Sequence, residues 1–291
     1  MRLCVGAASR RVVEQAARLR VHQIVASRRQ VGERAPGYTG FDSASLVETV
    51  RHLSGGETAV VRDHGGPHQN GDPADDWTAA LDADVDAGFD GLHLDVSELP
   101  AGEQTAELAR LCHRYAGRVF LEVGGERDSQ DHLDLLLKTA LGECEPYAAV
   151  GQLGGRIWAD RQHGALTGVA EARAVAESYG GVLVKAHNLD WAGGRQAYGV
   201  DGLYNVAPEF GNVEVDAWLR VLPHADGCML LRFAYETGAW RRWFTAGEGT
   251  RFERARCALR YHLETPGVAA VLARFDDGPV REAVADAISR G

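Results

Sequence analysis

Imidazole and carboxylate side chains stand at the ends of several short apolar runs in this 291-residue chain. Asp63 and His64 close one run, His93 and Asp95 close another, and Glu122 lies in a third. Burying so many ionisable groups on apolar strands costs free energy unless they coordinate a metal or bind a polar ligand. Two imidazoles and a carboxylate from separate strands are good ligands for a divalent transition metal such as Zn²⁺, Mn²⁺ or Co²⁺. The pattern therefore predicts a metal site.

The ligands that we predict for this metal come from three different runs, and they are His64, Glu122 and His187, with Asp95 or His93 as the next candidate. A cation held in this way polarises a substrate carbonyl and stabilises an enediolate. A nearby carboxylate, Asp63 or Asp95, would then move protons. Successive side chains of a strand point to opposite faces, so Asp63 and His64 share a site only if the strand has ended there. The alternative is that Asp63 caps the following turn.

Lys185 invites two interpretations, because the chain contains only one other lysine, Lys138. Lys185 precedes His187 by two residues, so both side chains lie on one strand face. A buried lysine with a lowered pKa would be the nucleophile of a metal-free Schiff-base aldolase. The other interpretation, which we favour, is a charge partner for Glu122 or for the substrate.

Binding of an anionic substrate group is less clearly marked, because no P-loop and no GxGxxG motif is present. Phosphate sites of barrels often follow the seventh and eighth strands. Here those stretches are 188–196, with Arg195, and 208–212. Further polar residues that we expect to bind the substrate are Asn188, Asn205 and Glu209. An alternative is a group of C-terminal arginines, which would otherwise form a solvated helix face. These are Arg232, Arg241, Arg242, Arg251 and Arg254.

Eight apolar runs of strand length alternate with segments of helical periodicity. The runs lie at 3–9, 22–28, 58–64, 91–97, 118–125, 147–155, 181–188 and 202–211. Short runs bounded by Gly or polar residues are typical of parallel strands buried on both faces. Helical segments are predicted at 42–53, 75–89, 105–117, 130–143 and 168–181, the first with Asp42 or Ser43 as its N-cap.

This alternation predicts an α/β fold, a (β/α)₈ TIM barrel with its site at the carboxyl ends of the strands. The competitor is a doubly wound open sheet, which would normally carry a Gly-rich fingerprint after its first strand, and VGAASRR is not one. Residues 1–291 are expected to form a single domain. Residues 230–291, rich in Arg and aromatics, would supply the closing helix and a C-terminal helical extension.

Composition excludes several classes of protein. A net charge of −10 argues against a nucleic-acid binder. Five scattered cysteines without a CxxC pair argue against a disulfide framework and a zinc–thiolate site. No apolar run is long enough for a signal peptide or a membrane span, so we expect a soluble, cytoplasmic protein that does not bind membranes.

Six segments resemble the tagatose-bisphosphate aldolase accessory (non-catalytic) subunit family and related metal-dependent ketose 4-epimerases. They occur in family order over residues ~1–210, and contain YTG, DHxGP, HLDxS and AHxxDY/W elements. The segments are RRQVGERAPGYTGFDSASLVETV (28–50), RDHGGPH (62–68), DAGFDGLHLDVS (86–97), LEVGGE (121–126), GQLGG (151–155) and KAHNLDW (185–191). Near the C-terminus, CALRYHLETPGV (257–268) looks like a shortened form of the family's helical ending.

The resemblance implies a (β/α)₈ barrel that acts on free or phosphorylated ketoses. It places Asp63, His64, His93, Asp95, Glu122, Gln152 and His187 in the polar site, with Gln30, Tyr38 and Thr39 at the end of strand two. Lys185 stands where the family commonly has an acidic residue. Two functions follow: a metal-dependent C4 epimerase using aldol/retro-aldol or enediolate chemistry, or an accessory subunit that stabilises a class II aldolase. An aldolase in its own right is a third possibility, and the expected partners are a sugar or sugar phosphate, an aldolase subunit or a second copy of the chain.

Overall fold

The computed structural model describes residues 2–69, 76–125, 130–151, 174, 177–180, 182–186, 203–206, 208–242, 244 and 248–290. Ten strands lie in this part of the chain. They are β1 (Arg2–Gly6), β2 (Gln23–Ser27), β3 (Val31–Gly32), β4 (Phe41–Asp42), β5 (Ala59–Gly65), β6 (Gly91–Leu94), β7 (Phe120–Gly125), β8 (Ala148–Gly151), β9 (Leu183–Ala186) and β10 (Leu203–Val206). Apart from the short β3 and β4, each lies within one of the eight predicted runs or within one residue of it.

Eight of the strands form one curled, parallel sheet in the order β1-β10-β9-β8-β7-β6-β5-β2. Strand β1 pairs with both β10 and β2, so the sheet closes into a barrel. The carboxyl ends of all eight strands therefore meet at one rim, which is where the sequence predicts the site. Strands β3 and β4 pair with each other beside this barrel.

Helices follow most of the strands. They are α1 (Arg10–Arg18), α2 (Ser43–Ser54), α3 (Trp77–Ala87), α4 (Ala101–Tyr115), α5 (Gln130–Leu141), α6 (Pro208–Val221), α7 (His224–Thr237), α8 (Arg251–Leu259), α9 (Pro266–Leu272) and α10 (Gly278–Arg290). The mixed α/β class and four of the five predicted helices are confirmed. The fifth, at 168–181, falls mostly outside the described residues, and the connection from β9 to β10 (187–202) lies wholly outside them. Helix α1 was not predicted.

Helix α2 shows how the local sequence sets an element's start. Asp42 is the N-cap: its Oδ1 accepts a hydrogen bond from the Ser45 backbone N–H at 2.8 Å, and the Ser45 hydroxyl reaches back to the Asp42 N–H. This reciprocal capping box satisfies two backbone donors at the helix start. The helix ends at Gly55, whose φ of 66° lies in the left-handed region that glycine adopts at low cost.

A fully buried ion pair ties the segment after β2 to the rest of the sheet. Arg62 on β5 makes two 2.6 Å contacts to the carboxylate of Asp84 on α3, and both side chains are 0% exposed. Its Nη1 also donates to the carbonyl oxygens of Ala26 and Val31 at 3.0 and 2.9 Å. A buried charge is tolerated when it is paired and hydrogen-bonded in this way. One guanidinium thus holds both flanks of the turn between β2 and β3.

The C-terminal helices enclose a second hydrophobic core, separate from those around the barrel strands. Trp218 of α6, Leu230 of α7, Leu259 of α8, Leu272 of α9 and Val280 of α10 are all buried in it. The described part of 230–290 is thus largely helical. Among the described helices, none combines the length and the hydropathy that a membrane crossing requires.

Candidate metal centre

Three side chains with metal-binding atoms meet at the carboxyl ends of β5 and β6. They are Asp63, His64 and His93, and one ligand atom from each lies within 4.8 Å of the other two. His93 is almost fully buried, with 1% of its side chain exposed, whereas Asp63 and His64 are 14% and 18% exposed. The group therefore lies at the rim, where a small molecule can reach it from one side.

A β-bulge explains how two consecutive residues enter one site. Arg62 pairs with Leu92 and Gly65 with Leu94, so β5 holds one more residue than β6 between these two pairs. The extra residue breaks the alternation of side chains and turns both Asp63 and His64 toward His93. His64 has a φ of 83°, an unusual value for a residue with a side chain. Such a backbone costs roughly 1–3 kcal/mol and is found preferentially at functional sites.

Each ring nitrogen of the two imidazoles has its own oxygen atom within hydrogen-bonding distance. For His64, Nδ1 lies 3.0 Å from Asp95 Oδ2 and Nε2 lies 3.2 Å from Asp63 Oδ2. For His93, Nε2 lies 3.0 Å from the carbonyl oxygen of Gly124 and Nδ1 lies 3.2 Å from Asp63 Oδ1. A neutral imidazole carries one proton, so it can donate to only one of its two oxygens.

The outer partners decide which nitrogen holds that proton. If His64 donates from Nδ1 to Asp95, and His93 from Nε2 to Gly124, both nitrogens that face Asp63 carry lone pairs. Metal-binding histidines are usually oriented in this manner, by a carboxylate or a carbonyl on the nitrogen that does not bind the metal. Two nitrogens and a carboxylate form a donor set that suits Zn²⁺, Mn²⁺ or Co²⁺. The residues present therefore fit a divalent transition metal.

Asp95 is an ionised partner of His64 in this arrangement. Its side chain is 1% exposed, and Oδ1 accepts a 2.9 Å hydrogen bond from the Ser97 backbone N–H. Burial alone would raise its pKa, but the hydrogen bonds from His64 and Ser97 and the electrostatic influence of the two imidazoles outweigh burial and hold the pKa below its ordinary value. The carboxylate thus remains an acceptor for His64 Nδ1. The backbones of Gly66 and Asp95 also approach each other closely. A side chain at position 66 would prevent this, because its Cβ would lie 1.8 Å from the Asp95 carbonyl oxygen.

Below the metal-binding group, the inside of the barrel contains a buried polar network. Lys185 Nζ donates to Glu122 Oε2 at 2.6 Å and to Gln23 Oε1 at 2.9 Å. Gln23 Nε2 donates to the other Glu122 oxygen at 3.0 Å, and Cys4 Sγ donates to Gln23 Oε1 at 3.1 Å. All four side chains are fully buried. Burial would lower the pKa of Lys185, but Glu122 raises it above the ordinary value, so the amine is protonated.

The network bears on two sequence predictions. The interpretation of Lys185 as a charge partner of Glu122 is confirmed by their contact. Glu122, predicted as a metal ligand, has both oxygens engaged by Lys185 and Gln23 and does not belong to the group of ligand atoms around Asp63. Sequence reasoning did not single out Gln23 or Cys4, and an uncharged residue inside an apolar run gives no signal of such a role.

The three residues predicted at the end of β2 lie together. Thr39 is buried and its hydroxyl donates to the Gln30 carbonyl oxygen at 2.6 Å. Gln30 Oε1 accepts a 2.7 Å hydrogen bond from the Ser27 N–H, so it turns back to the end of the strand. The Tyr38 ring contacts Tyr261 of the C-terminal extension edge-on, with 5.0 Å between ring centroids.

Six other predicted site residues have no described side chain: for two of them only the backbone is described, and the other four lie outside the described residues. Asn205 lies on β10 in register with Cys4, and Glu209 lies in the first turn of α6 rather than at a strand end. Gln152, His187, Asn188 and Arg195 lie outside the described residues. The structure therefore brings together His64, His93, Asp63 and Asp95, and it leaves the predicted role of His187 as a prediction.

Among the solved structures of similar fold are one named as an aldolase and one named as an epimerase. The crystal structure of the YdjI aldolase from Escherichia coli K12 superposes with a TM-score of 0.51 at 10% identity, over 92% of this chain and 89% of that one. A glycerol-complexed crystal structure of the fructuronate-tagaturonate epimerase UxaE from Cohnella laeviribosi gives a TM-score of 0.64 at 12% identity, over 99% and 80%. No family model and no curated protein sequence matches the chain. At these identities the likeness demonstrates a shared fold.

Proposed function

We propose that this protein is a metal-dependent epimerase, of the C4 type, acting on a ketose or ketose phosphate. The observation that carries the proposal is the group of Asp63, His64 and His93, whose ligand atoms lie within 4.8 Å of one another. The ring nitrogen of each imidazole that faces away from Asp63 contacts an acceptor oxygen, of Asp95 or of Gly124. We assign these three residues as the protein ligands of the metal. The likeness to one structure named as an aldolase and another named as an epimerase supports the same reaction class.

Inversion at C4 can proceed through aldol chemistry. A base takes the proton of the C4 hydroxyl as the C3–C4 bond of the ketose breaks to give an enediolate and an aldehyde. The aldehyde turns over, the same bond re-forms on its other face, and the proton returns to the C4 oxygen. No atom is gained or lost. A bound divalent cation supplies polarisation of the carbonyl and stabilisation of the developing negative charge.

The protein's own residues hold this chemistry in place. Asp95 and the carbonyl of Gly124 fix the tautomer and orientation of the two imidazoles. Of the two carboxylates predicted to move protons, Asp63 is the more exposed, with 14% of its side chain accessible against 1% for Asp95. The Asp63 oxygen that the metal does not bind would therefore be the one that moves a proton. Lys185 places a positive charge beneath the site, and burial keeps water away from it.

Two alternatives from the sequence differ in how well they fit. A Schiff-base aldolase requires an unprotonated lysine that a substrate can reach, whereas the Lys185 amine is 0% exposed and donates to Glu122 and Gln23. A metal-dependent aldolase uses the same bond cleavage with release of both fragments, and the likeness to the YdjI aldolase keeps it as the second candidate. We infer that the fold is a (β/α)₈ barrel.

A metal titration joined to an activity assay tests the proposal. The variant His93→Ala should lose most of its bound metal and its turnover of ketoses or ketose phosphates, because one inner ligand is removed. The matched control is His113→Ala on the exposed face of α4, where 84% of the side chain is accessible. Metal content is measured by elemental analysis and epimer formation by NMR, with and without a chelator. Turnover that the chelator leaves unchanged would refute the metal role.

A further inference from the structure

Basic and phenolic side chains collect beside the candidate metal centre, where the segment after β2 meets the C-terminal extension. Arg29 and Tyr38 come from that segment, and Arg242, Arg260 and Tyr261 come from the extension. Arg260 Nη2 donates to the Tyr261 hydroxyl at 2.8 Å, and its guanidinium lies over the Tyr261 ring at 4.9 Å. Tyr261 in turn contacts the Tyr38 ring. We call these five residues the arginine–tyrosine cluster.

The backbone N–H of Tyr38 donates to the carbonyl oxygen of Arg29 at 3.1 Å, which joins Arg29 to the tyrosine pair. Partial burial and the charge of Arg242 both lower the pKa of Arg29. Burial is the largest influence on the pKa of Tyr38 and raises it, whereas the charges of Arg260 and Arg242 act in the opposite direction. Three cations are therefore concentrated at one point of a chain whose net charge is −10. Such a concentration creates a local positive potential that an oxyanion would neutralise.

The cluster is connected to the metal centre through a short chain of contacts. Ser27, the last residue of β2, is in register with Asp63 on the neighbouring strand. The Ser27 N–H donates to Gln30 Oε1 at 2.7 Å, and the Gln30 side chain also hydrogen-bonds to Tyr38. Tyr38 then contacts Tyr261. One substrate molecule with a reacting centre at Asp63 would extend along the rim toward the arginines.

We propose that the arginine–tyrosine cluster binds the terminal oxyanion of the substrate, a phosphate or a carboxylate, while the substrate's carbonyl end lies at Asp63, His64 and His93. Guanidinium groups are planar and bind phosphate or carboxylate through paired hydrogen bonds. Phenolic hydroxyls can donate further hydrogen bonds to such a group. The inference rests on the proposed function for the position of the reacting carbon. It places the anion subsite between the segment after β2 and the C-terminal extension rather than after the seventh and eighth strands.

Anion binding is measured first, without any need for turnover. Arg29 and Arg242 are both exposed, so the cluster variant Arg29→Gln/Arg242→Gln should fold normally. The control variant is Arg232→Gln/Arg251→Gln, which removes the same amount of charge from exposed positions of α7 and α8. Calorimetric titration of chelator-treated protein uses inorganic phosphate in one arm and acetate in the other. The cluster variant should weaken binding of at least one anion about tenfold or more, because a charge-assisted hydrogen bond is lost. The control variant should bind as the wild type does.

The two arms and the kinetics separate the outcomes. Tighter phosphate than acetate binding identifies phosphorylated ketoses as the substrate class, and the reverse identifies ketouronates. With an anionic ketose, the cluster variant should raise KM about tenfold, whereas the control variant Arg232→Gln/Arg251→Gln should leave KM unchanged. If neither anion binds, or if both double variants weaken binding equally, the subsite is refuted. If the anion binds at the cluster while no ketose is turned over, the subsite stands and the proposed reaction fails.

Discussion

The substitution Glu122→Gln separates two roles that this residue could have. As described, Glu122 and Lys185 are both fully buried, with 2.6 Å between the charged atoms. Glutamine keeps the shape and one acceptor oxygen but leaves the ammonium group of Lys185 uncompensated in the barrel interior. Removing one member of a buried ion pair typically costs about 3–5 kcal/mol.

That cost is large against the stability of a whole domain. Domains of ordinary stability unfold with about 5–15 kcal/mol, so Glu122→Gln should remove a third or more of the total in most of that range. Urea denaturation followed by circular dichroism gives the free energy of unfolding from the midpoint and the slope. Metal content of the folded variant, measured in parallel below the transition, should stay close to that of the wild type.

Two further variants make the measurement specific. Glu236→Gln removes a carboxylate that Arg232 contacts at 2.9 Å on the exposed face of α7, and it should cost less than about 1 kcal/mol. The double variant Glu122→Gln/Lys185→Met removes both buried charges and should recover most of the lost stability. If Glu122→Gln changes the free energy of unfolding by less than about 1 kcal/mol and abolishes metal binding, the ion-pair reasoning is wrong and Glu122 is a ligand.

Two more outcomes are expected. Asp95→Asn should weaken metal binding about 10–100-fold, measured by competition with a chromogenic chelator, because the partner of His64 Nδ1 loses its charge; unchanged affinity would contradict the orienting role. Burial raises the pKa of Glu214 above its ordinary value of 4.5, so the folded state holds that proton more tightly than the unfolded state does. Stability from this group is therefore present below pH 4.5 and is lost as the pH rises above it. The free energy of unfolding of Glu214→Gln relative to wild type should rise over the same range in denaturation series at several pH values, and a pH-independent difference would disprove the assignment.

The strands could be predicted from the sequence because a strand buried on both faces must be apolar along its length. Helix α1 was missed although Val12, Val13, Ala16 and Ala17 are spaced as on a buried helix face and are all buried. Its flanking arginines dominate the segment's composition and conceal that spacing.

The site could be predicted only in part. Clustering of polar residues at strand ends identified His64, His93, Asp63 and Asp95, because parallel strands bring their carboxyl ends to one rim. Which of them face each other depends on the bulge after Arg62 and on the backbone of His64, and neither has a sequence signature. The partner of Glu122 depends in the same way on packing between β7 and β9, which do not pair directly.

The guanidinium of Arg62 has a consequence for substrate length. Arg62 immediately precedes Asp63 in the chain. Its Nη1 donates to the carbonyl oxygens of Ala26 and Val31, which lie on either side of Gln30 in the sequence. Any shift of that turn relative to the metal centre must break hydrogen bonds in a fully buried position. The distance from Asp63 to Tyr38 and Tyr261 in the arginine–tyrosine cluster is consequently fixed. We therefore expect the site to select ligands by their length rather than to adapt to each of them.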